Sequence, residues 1–205
     1  LAEALARHGS LAGVGVDTWG VDYGRLADDG SLAEPPFHYR DDRTQGVPEE
    51  LFAGYPAATL YGEAGLQVMP FNTVFQLIAD ARAGVDWNAV ATILLTPDLV
   101  NHWLSGRRAA EVTIASTSGL LHVADRTWSQ RTCAHLAARF GIDVPRILPE
   151  LVEPGTILGE TLPGVLAGAV PVIAVGSHDT ASAVVAVPAA SRDFAFISSG
   201  TWSLV

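Results

Sequence analysis

Apolar residues recur at the spacing of a helix face in seven segments of the chain. A stripe of apolar residues three or four positions apart marks the side of a helix that packs on a core. Gly9, Gly106 and Gly141 follow three of these segments and Pro188 follows a fourth, as expected at helix ends. The predicted helices span residues 1–8, 48–55, 57–64, 72–81, 97–104, 128–140 and 180–187.

Shorter apolar runs between turn residues predict strands at residues 11–16, 21–26, 170–175, 194–197 and 202–205. Asp28, Asp29 and Gly30 form a turn signal after the second run, so we expect the first strands to form a hairpin-type meander. Strands and helices alternate through the rest of the chain. The pattern therefore predicts an α/β layered fold with a mixed sheet.

Composition narrows the classes of function. Of the 205 residues 49% are hydrophobic and 17% charged, which suits one folded domain or one lobe of a larger enzyme. A net charge of -10 opposes binding to nucleic acid or to an anionic membrane. All 12 basic residues are arginines, which excludes the lysine-containing nucleotide loop and lysine Schiff bases.

The cysteine and histidines indicate neither a disulfide nor a metal site. Cys133 is the only cysteine and lies in the predicted helix 128–140, where a role as core or helix filler is expected. The histidines lack the spacing of metal ligands, so we predict no transition-metal site. No secretory signal opens the chain, and a cytoplasmic location is expected.

Two early segments could bind a ligand. Asp17, Trp19 and Gly20 lie between the first two predicted strands, where a carboxylate, a stacking ring and a close backbone approach suit a sugar. A hairpin turn with a core tryptophan explains this segment better when it is taken alone. Residues 37–44 place two aspartates between Arg40 and Arg43, a set that can hydrogen-bond sugar hydroxyls or hold other loops in place. A solvated, salt-bridged loop is an equally good interpretation.

Two later segments follow or join apolar strands. His178, Asp179 and Thr180 come where a strand ends and a helix begins, which is where ligands bind in open α/β sheets. Asp179 could also simply cap that helix. Gly200 and Thr201 lie in a Ser- and Gly-rich turn that can present backbone N–H groups to a phosphate, although such turns are common.

In chain order, eight motifs together resemble the FGGY carbohydrate kinases and, within that family, the rhamnulokinases. Any one motif could be chance, but the ordered set spans nearly the whole chain. They are VDTWGVDY (16–23), HYRDDRT (38–44), PFNT with QL (70–73, 76–77), PDL (97–99), EVT with AST (111–113, 115–117), EPG (153–155), SHDTASAV (177–184) and ISSGTWSL (197–204).

The resemblance implies a ribonuclease H-like lobe of the actin and hexokinase type, with ATP, Mg²⁺ and sugar bound in a cleft between two lobes. Asp179 matches the family's proton acceptor, and Gly20, His178, Asp179 and Thr180 match sugar-binding positions. Asp17, Trp19 and Arg43 lie in matching motifs and are also expected at the sugar, whereas Gly200 and Thr201 match the nucleotide side. The implied activity is phosphorylation of a ketose, most closely L-rhamnulose at its 1-hydroxyl.

The resemblance also implies that the chain is one lobe cut at both ends. Residues 1–190 match the sugar-binding domain without its first phosphate-binding hairpin, and residues 191–205 match the start of the ATP-binding domain. We therefore expect this chain to be inactive alone. Three alternatives remain open: another sugar or polyol kinase of the family, such as a xylulokinase or fuculokinase, a non-catalytic sugar-binding actin-like domain, and a glycoside hydrolase.

Overall fold

The computed structural model describes residues 1–199 and 203–204 and contains all seven predicted helices. Three-residue 3-10 helices occur at Asp42–Thr44, Trp87–Ala89 and Ser116–Ser118. The α-helices of the described residues are α1 (Ala2–His8), α2 (Val47–Phe52), α3 (Ala57–Ala64), α4 (Thr73–Arg82), α5 (Thr96–Ser105), α6 (Val112–Ala115), α7 (Gln130–Phe140), α8 (Val144–Ile147) and α9 (Asp179–Val185).

The strands pair in both directions, as a mixed sheet requires. β1–β2, β4–β5, β7–β8 and β9–β10 are antiparallel pairs, whereas β3 and β6 are parallel. The described strands are β1 (Tyr23–Leu26), β2 (Thr92–Leu95), β3 (Ala109–Glu111), β4 (Leu121–His122), β5 (Thr127–Trp128), β6 (Glu150–Val152), β7 (Ile157–Glu160), β8 (Pro171–Ile173), β9 (Ser198–Ser199) and β10 (Ser203–Leu204). The predicted α/β fold is confirmed, and the described strands form both parallel and antiparallel pairs.

The first two predicted strands do not pair with each other. Val14 instead forms a parallel bridge with Val172 of β8, and β1 pairs with β2, more than sixty residues later in the chain. Glycines explain the first pairing, because a Cβ on Gly13 or Gly15 would lie within 2.7 Å of the side chain of Ile173 or Val175. The turn after β1 is as predicted, since the Ala27 N–H donates to the Ser31 carbonyl.

Two of the predicted strands do not form as regular buried strands. Residues 11–16 are half-buried or exposed rather than buried. Residues 194–197 form no strand, and Phe194 and Ile197 are 48% and 65% exposed. β9 begins only at Ser198, where backbone pairing with β10 supplies the hydrogen bonds that a strand needs.

Helix α4 lies inside the main core. Every residue from Thr73 to Asp80 is buried, and α2 and α7 pack against the helix. Phe52 of α2 meets Phe75 edge-on at 5.9 Å, and Leu136 of α7 is fully buried in the same cluster. This core fixes one end of the loops that reach the cavity described below.

No helix in the described ranges has both the length and the apolar character needed to cross a membrane. The uncharged stretch at residues 161–178 is instead divided between irregular chain and the short strand β8. β8 lies within the predicted strand at residues 170–175, and only Val172 of its three residues is buried.

Candidate active site

A cavity of about 470 Å³ lies between the chain before β1 and the start of α9. Its walls combine aromatic rings with a carboxylate, an imidazole, an arginine and hydroxyl groups, the mixture expected of a site for a polar small molecule. It is lined by Trp19, Gly20, Val21, Tyr39, Arg40, Leu66, Gln67, Met69, Phe71, Asn72, Thr117, His178, Asp179 and Thr180.

Backbone hydrogen bonds bring the first and third candidate segments together. The Thr18 N–H donates to the Ser177 carbonyl at 3.0 Å, and the Asp179 N–H donates to the Thr18 carbonyl at 2.9 Å. Thr18 and His178 therefore form a parallel bridge. Segments separated by about 160 positions in the sequence thus meet at one side of the cavity.

Asp179 is the first residue of α9, and about half of its side chain is exposed at the cavity. The Thr180 hydroxyl donates to Asp179 Oδ1 at 3.3 Å, and His178 Nε2 lies 3.6 Å from the same oxygen. Burial lowers the pKa of His178, while the charges of Asp179 and Glu111 oppose that shift. The site thus presents an exposed carboxylate beside an imidazole whose neutral form is favoured by burial.

Trp19 forms part of the aromatic wall, and a buried carboxylate holds it there. Trp19 Nε1 donates to Asp22 Oδ2 at 2.8 Å, and the Tyr39 backbone N–H donates to the same oxygen at 3.1 Å. Gln76 donates to the other oxygen of Asp22. One aspartate therefore ties two pieces of the wall to helix α4.

Comparison with known proteins identifies the family of the chain. Residues 3–186 match the FGGY family of carbohydrate kinases, N-terminal domain. This chain belongs to that family. A rhamnulokinase of Enterococcus faecalis is 40% identical over 196 residues, 94% of this chain and 38% of that protein. A rhamnulokinase of Bacteroides thetaiotaomicron is 41% identical over 203 residues, 96% of this chain and 40% of that protein.

A solved structure supports the fold. The crystal structure of xylulose kinase from Rhodospirillum rubrum matches with a TM-score of 0.75 and 21% identity, over 85% of this chain and 37% of that one. This agrees with the actin and hexokinase type of fold that the motifs implied. The chain spans 38% and 40% of the two rhamnulokinases it matches.

Five of the predicted FGGY site residues line the cavity: Trp19, Gly20, His178, Asp179 and Thr180. Asp17 is exposed and is not among the lining residues. Gly200 and Thr201 lie outside the described residues, so their nucleotide role stays a prediction.

Arg43 lies behind the cavity wall rather than in it. Its guanidinium pairs with the buried Asp80 and donates to Gln76 Oε1 at 2.6 Å, and it stacks on the Phe37 ring at 4.2 Å. Arg40 is the arginine of this loop that lines the cavity. Direct contact of Arg43 with a sugar stays a prediction. Its hydrogen bond holds the Gln76 side chain, which in turn donates to Asp22.

Gly20 has a packing reason to be glycine in addition to its place in the wall. A Cβ at this position would lie 2.7 to 2.8 Å from three atoms of the Thr117 side chain. That hydroxyl accepts from the Val21 N–H at 3.0 Å and donates to the Ile114 carbonyl, so it cannot easily move away. Close approach of a sugar to Gly20 stays a prediction.

The role of Asn72 in the site could not be read from the sequence pattern. Asn72 begins the predicted helix 72–81 and directly precedes α4, but its side chain makes no capping hydrogen bond. It accepts from the Met69 N–H and donates to the Thr117 carbonyl, which joins two walls of the cavity. The motif PFNT was the only signal for this role, because the partners lie far apart in the sequence.

The described residues do not form a metal cage. Among residues 1–199 and 203–204, no group of three or more His, Cys, Asp or Glu side chains could hold a metal ion. Mg²⁺ in kinases is commonly held by one or two carboxylates together with substrate phosphates. An Mg²⁺ ion held mainly by phosphate would not need a group of three protein ligands.

Proposed function

We propose that the protein containing this chain phosphorylates a ketose with ATP, most specifically L-rhamnulose at its 1-hydroxyl, in the cytoplasm. The observation that carries the proposal is Asp179, an exposed carboxylate between His178 and Thr180 at the cavity. The similarity to two rhamnulokinases supports rhamnulose over other ketoses.

The cavity suits a polyhydroxylated substrate. Arg40, His178 and Thr180 offer hydrogen-bonding groups, and Trp19 and Tyr39 offer ring faces for the apolar face of a sugar. Asp22 holds both aromatic residues, so this part of the wall is formed before a substrate binds. A preformed wall loses less entropy when the ligand binds.

Asp179 would act on the hydroxyl that attacks phosphorus. A carboxylate is a weak base towards an alcohol, so the first task of Asp179 is to orient the hydroxyl. It then accepts the proton late, as the new phosphorus–oxygen bond forms. ATP is the second substrate and supplies the phosphoryl group, with Mg²⁺ neutralising phosphate charge.

We assign residues 1–190 to the sugar-binding domain and residues 191–205 to the beginning of the ATP-binding domain. Phosphoryl transfer requires both substrates in line, and a misplacement of about 1 Å can cost on the order of 10² in rate. We therefore attribute catalysis to the full-length protein rather than to this chain alone.

The proposal predicts that Asp179→Asn in the full-length protein lowers kcat by roughly 10²-fold or more, the scale of a positioned acid or base. Affinity for the sugar should change less, since asparagine keeps the size and one acceptor of the side chain. The measurement is a coupled assay of ADP release with L-rhamnulose. Asp143→Asn is the matched control, because Asp143 is exposed and makes no capping hydrogen bond before α8.

The same assay separates the alternatives. A panel of rhamnulose, xylulose and fuculose distinguishes a rhamnulokinase from other kinases of the family by kcat/KM. A non-catalytic sugar-binding protein would bind a sugar without releasing ADP, and a glycoside hydrolase would act without ATP. Normal kcat in Asp179→Asn would remove Asp179 from the mechanism.

A further inference from the structure

The backbone leading into Asp179 is held by side chains from a distant part of the chain. β8 ends at Ile173 and α9 begins at Asp179, so the residues between them lack the support of a regular element. Three consecutive N–H groups in this connection nevertheless have acceptors. Those of Ser177, His178 and Asp179 donate respectively to Glu111 Oε2, Thr113 Oγ1 and the Thr18 carbonyl, at 2.9, 3.2 and 2.9 Å.

Glu111 is fully buried and uses both carboxylate oxygens. Oε1 accepts from the Thr113 N–H at 2.9 Å, and Oε2 accepts from the Ile114 N–H, from the Thr113 hydroxyl and from the Ser177 N–H. The first two backbone contacts cap helix α6. The contact with Ser177 caps nothing and reaches across 66 positions in the sequence.

The Thr113 hydroxyl continues the connection from Glu111 to the catalytic segment. It donates to Glu111 and accepts from the His178 N–H, so the carboxylate also orients the group that holds His178. Charge-assisted hydrogen bonds of this kind are shorter and stronger than neutral ones. The side chains of Glu111 and Thr113 thus hold the backbone N–H groups of Ser177 and His178, directly before Asp179.

The supporting segment is itself rigid. β3, which ends at Glu111, pairs in parallel with β6, and Ala110 and Ile114 on either side are buried. The Glu111 N–H also donates to the buried Asp98 carboxyl at 3.1 Å. A firmly packed base is what precise placement of a catalytic side chain needs.

We propose that Glu111 and Thr113 are positioning residues that hold the Ser177–His178 backbone and thereby aim Asp179 at the sugar hydroxyl. This rests on the proposed function of Asp179 as the proton acceptor. Neither residue is among those that line the cavity, and both contact the segment before Asp179 through its backbone N–H groups.

The test uses Thr113→Val in the full-length protein, because valine keeps the shape of threonine and leaves the capping contacts of Glu111 to α6 in place. Thr113→Val should lower kcat for rhamnulose about tenfold or more, the scale of a small misplacement. KM for ATP should not change. Thr113→Ser restores the hydroxyl and should restore kcat.

Thr92→Val is the matched control. It removes a buried hydroxyl that donates to the Ile147 carbonyl at 2.9 Å, away from the catalytic segment. We expect it to keep wild-type kcat. Amide hydrogen exchange gives a readout besides activity: residues 177–179 should exchange faster in Thr113→Val and unchanged in Thr92→Val.

The outcomes separate this inference from the proposed function. Wild-type kcat and exchange in Thr113→Val, or an equal loss of kcat in Thr92→Val, would overturn the positioning role even if Asp179→Asn is inactive. If Asp179→Asn keeps its kcat, the proposed function fails. Faster exchange at 177–179 in Thr113→Val would then still establish the backbone contact itself. Should Thr113→Val fail to fold, Thr113→Ala takes its place, because alanine also removes the hydroxyl and leaves the capping contacts of Glu111 to α6 in place. Wild-type kcat and exchange in that variant would overturn the positioning role.

Discussion

A single added carbon at Gly20 should destabilise the fold. In Gly20→Ala the new Cβ would meet the Thr117 side chain at 2.7 Å, and the two hydrogen bonds of that hydroxyl fix its position. Overpacking of a well-packed site typically costs about 1–3 kcal/mol. We expect the free energy of unfolding, measured with urea, to fall by that amount.

Gly62→Ala is the matched control for this prediction. Gly62 lies within helix α3, is exposed, and an added Cβ would meet no atom within 4 Å. Replacing an exposed helical glycine by alanine should raise stability by roughly 0.5–1 kcal/mol. Equal stability of Gly20→Ala and the wild type would show that Thr117 yields, and the packing explanation for Gly20 would be wrong.

Residue types at the site were predictable from the sequence where a strand end, a carboxylate and a motif coincide, as at Asp179. The sequence did not indicate which arginine of residues 37–44 faces the cavity. Arg40 lines the cavity, whereas Arg43 is held behind it by Asp80 and Gln76. Both partners lie on α4, more than thirty positions later in the sequence. A contact between such distant residues leaves no local pattern.

At the scale of an element, the start of helix α5 makes stability depend on pH. Asp98 is buried, its Oδ1 accepts from the Glu111 N–H, and its Oδ2 has no partner among the described residues. Burial raises the pKa of Asp98 well above the ordinary value of 3.8, and the charge of Glu111 adds to the shift. The carboxyl is therefore favoured in its neutral form in the folded protein.

The sign of the pH effect follows from proton binding. Between the unfolded pKa of Asp98 and its raised folded pKa, the folded state holds a proton that the unfolded state has lost. Asp98 therefore lowers stability as pH rises through this window, by at most about 1.4 kcal/mol per pH unit, and the effect levels off above the folded pKa.

Asp98→Asn should remove this dependence, because asparagine has the shape of a protonated aspartate and can still accept from the Glu111 N–H. Urea unfolding of both proteins between about pH 5 and pH 8 is the measurement. The stability of the variant relative to that of the wild type should increase as pH rises. A difference that is constant over this range would contradict a neutral Asp98.

Elements were predictable where the apolar pattern is long and its ends are marked, as in α4 and α7. Short strands were not. β2 (Thr92–Leu95) runs directly into the helix that contains Pro97. The hydrophobic pattern of its four residues therefore cannot be distinguished from that of the helix. The pairing of residues 11–16 with β8 was also missed, because the glycines that permit it resemble turn residues in sequence.

At the scale of the whole molecule, the reactivity of the Cys133 thiol shows whether the main core is intact. It is buried on α7 among the residues that join α7, α4 and α2, including Leu136 and Phe75. Burial raises the pKa of its thiol from 9.0 to about 11, so roughly 100-fold less thiolate is present near neutral pH. Because it is the only cysteine, any thiol reaction of the chain comes from this position.

We therefore expect a thiol reagent such as DTNB to react very slowly with the folded chain and fast once urea unfolds it. The reaction rate should rise with urea in parallel with loss of helical circular dichroism, since α7 cannot leave the core without exposing Leu136 and its neighbours. Ala138→Cys supplies an internal control, because Ala138 is exposed on the same helix. That variant should show one fast and one slow thiol. A fast reaction of Cys133 in buffer, with helical circular dichroism intact, would mean that α7 separates from the core without general unfolding, and that the core does not behave as one cooperative unit.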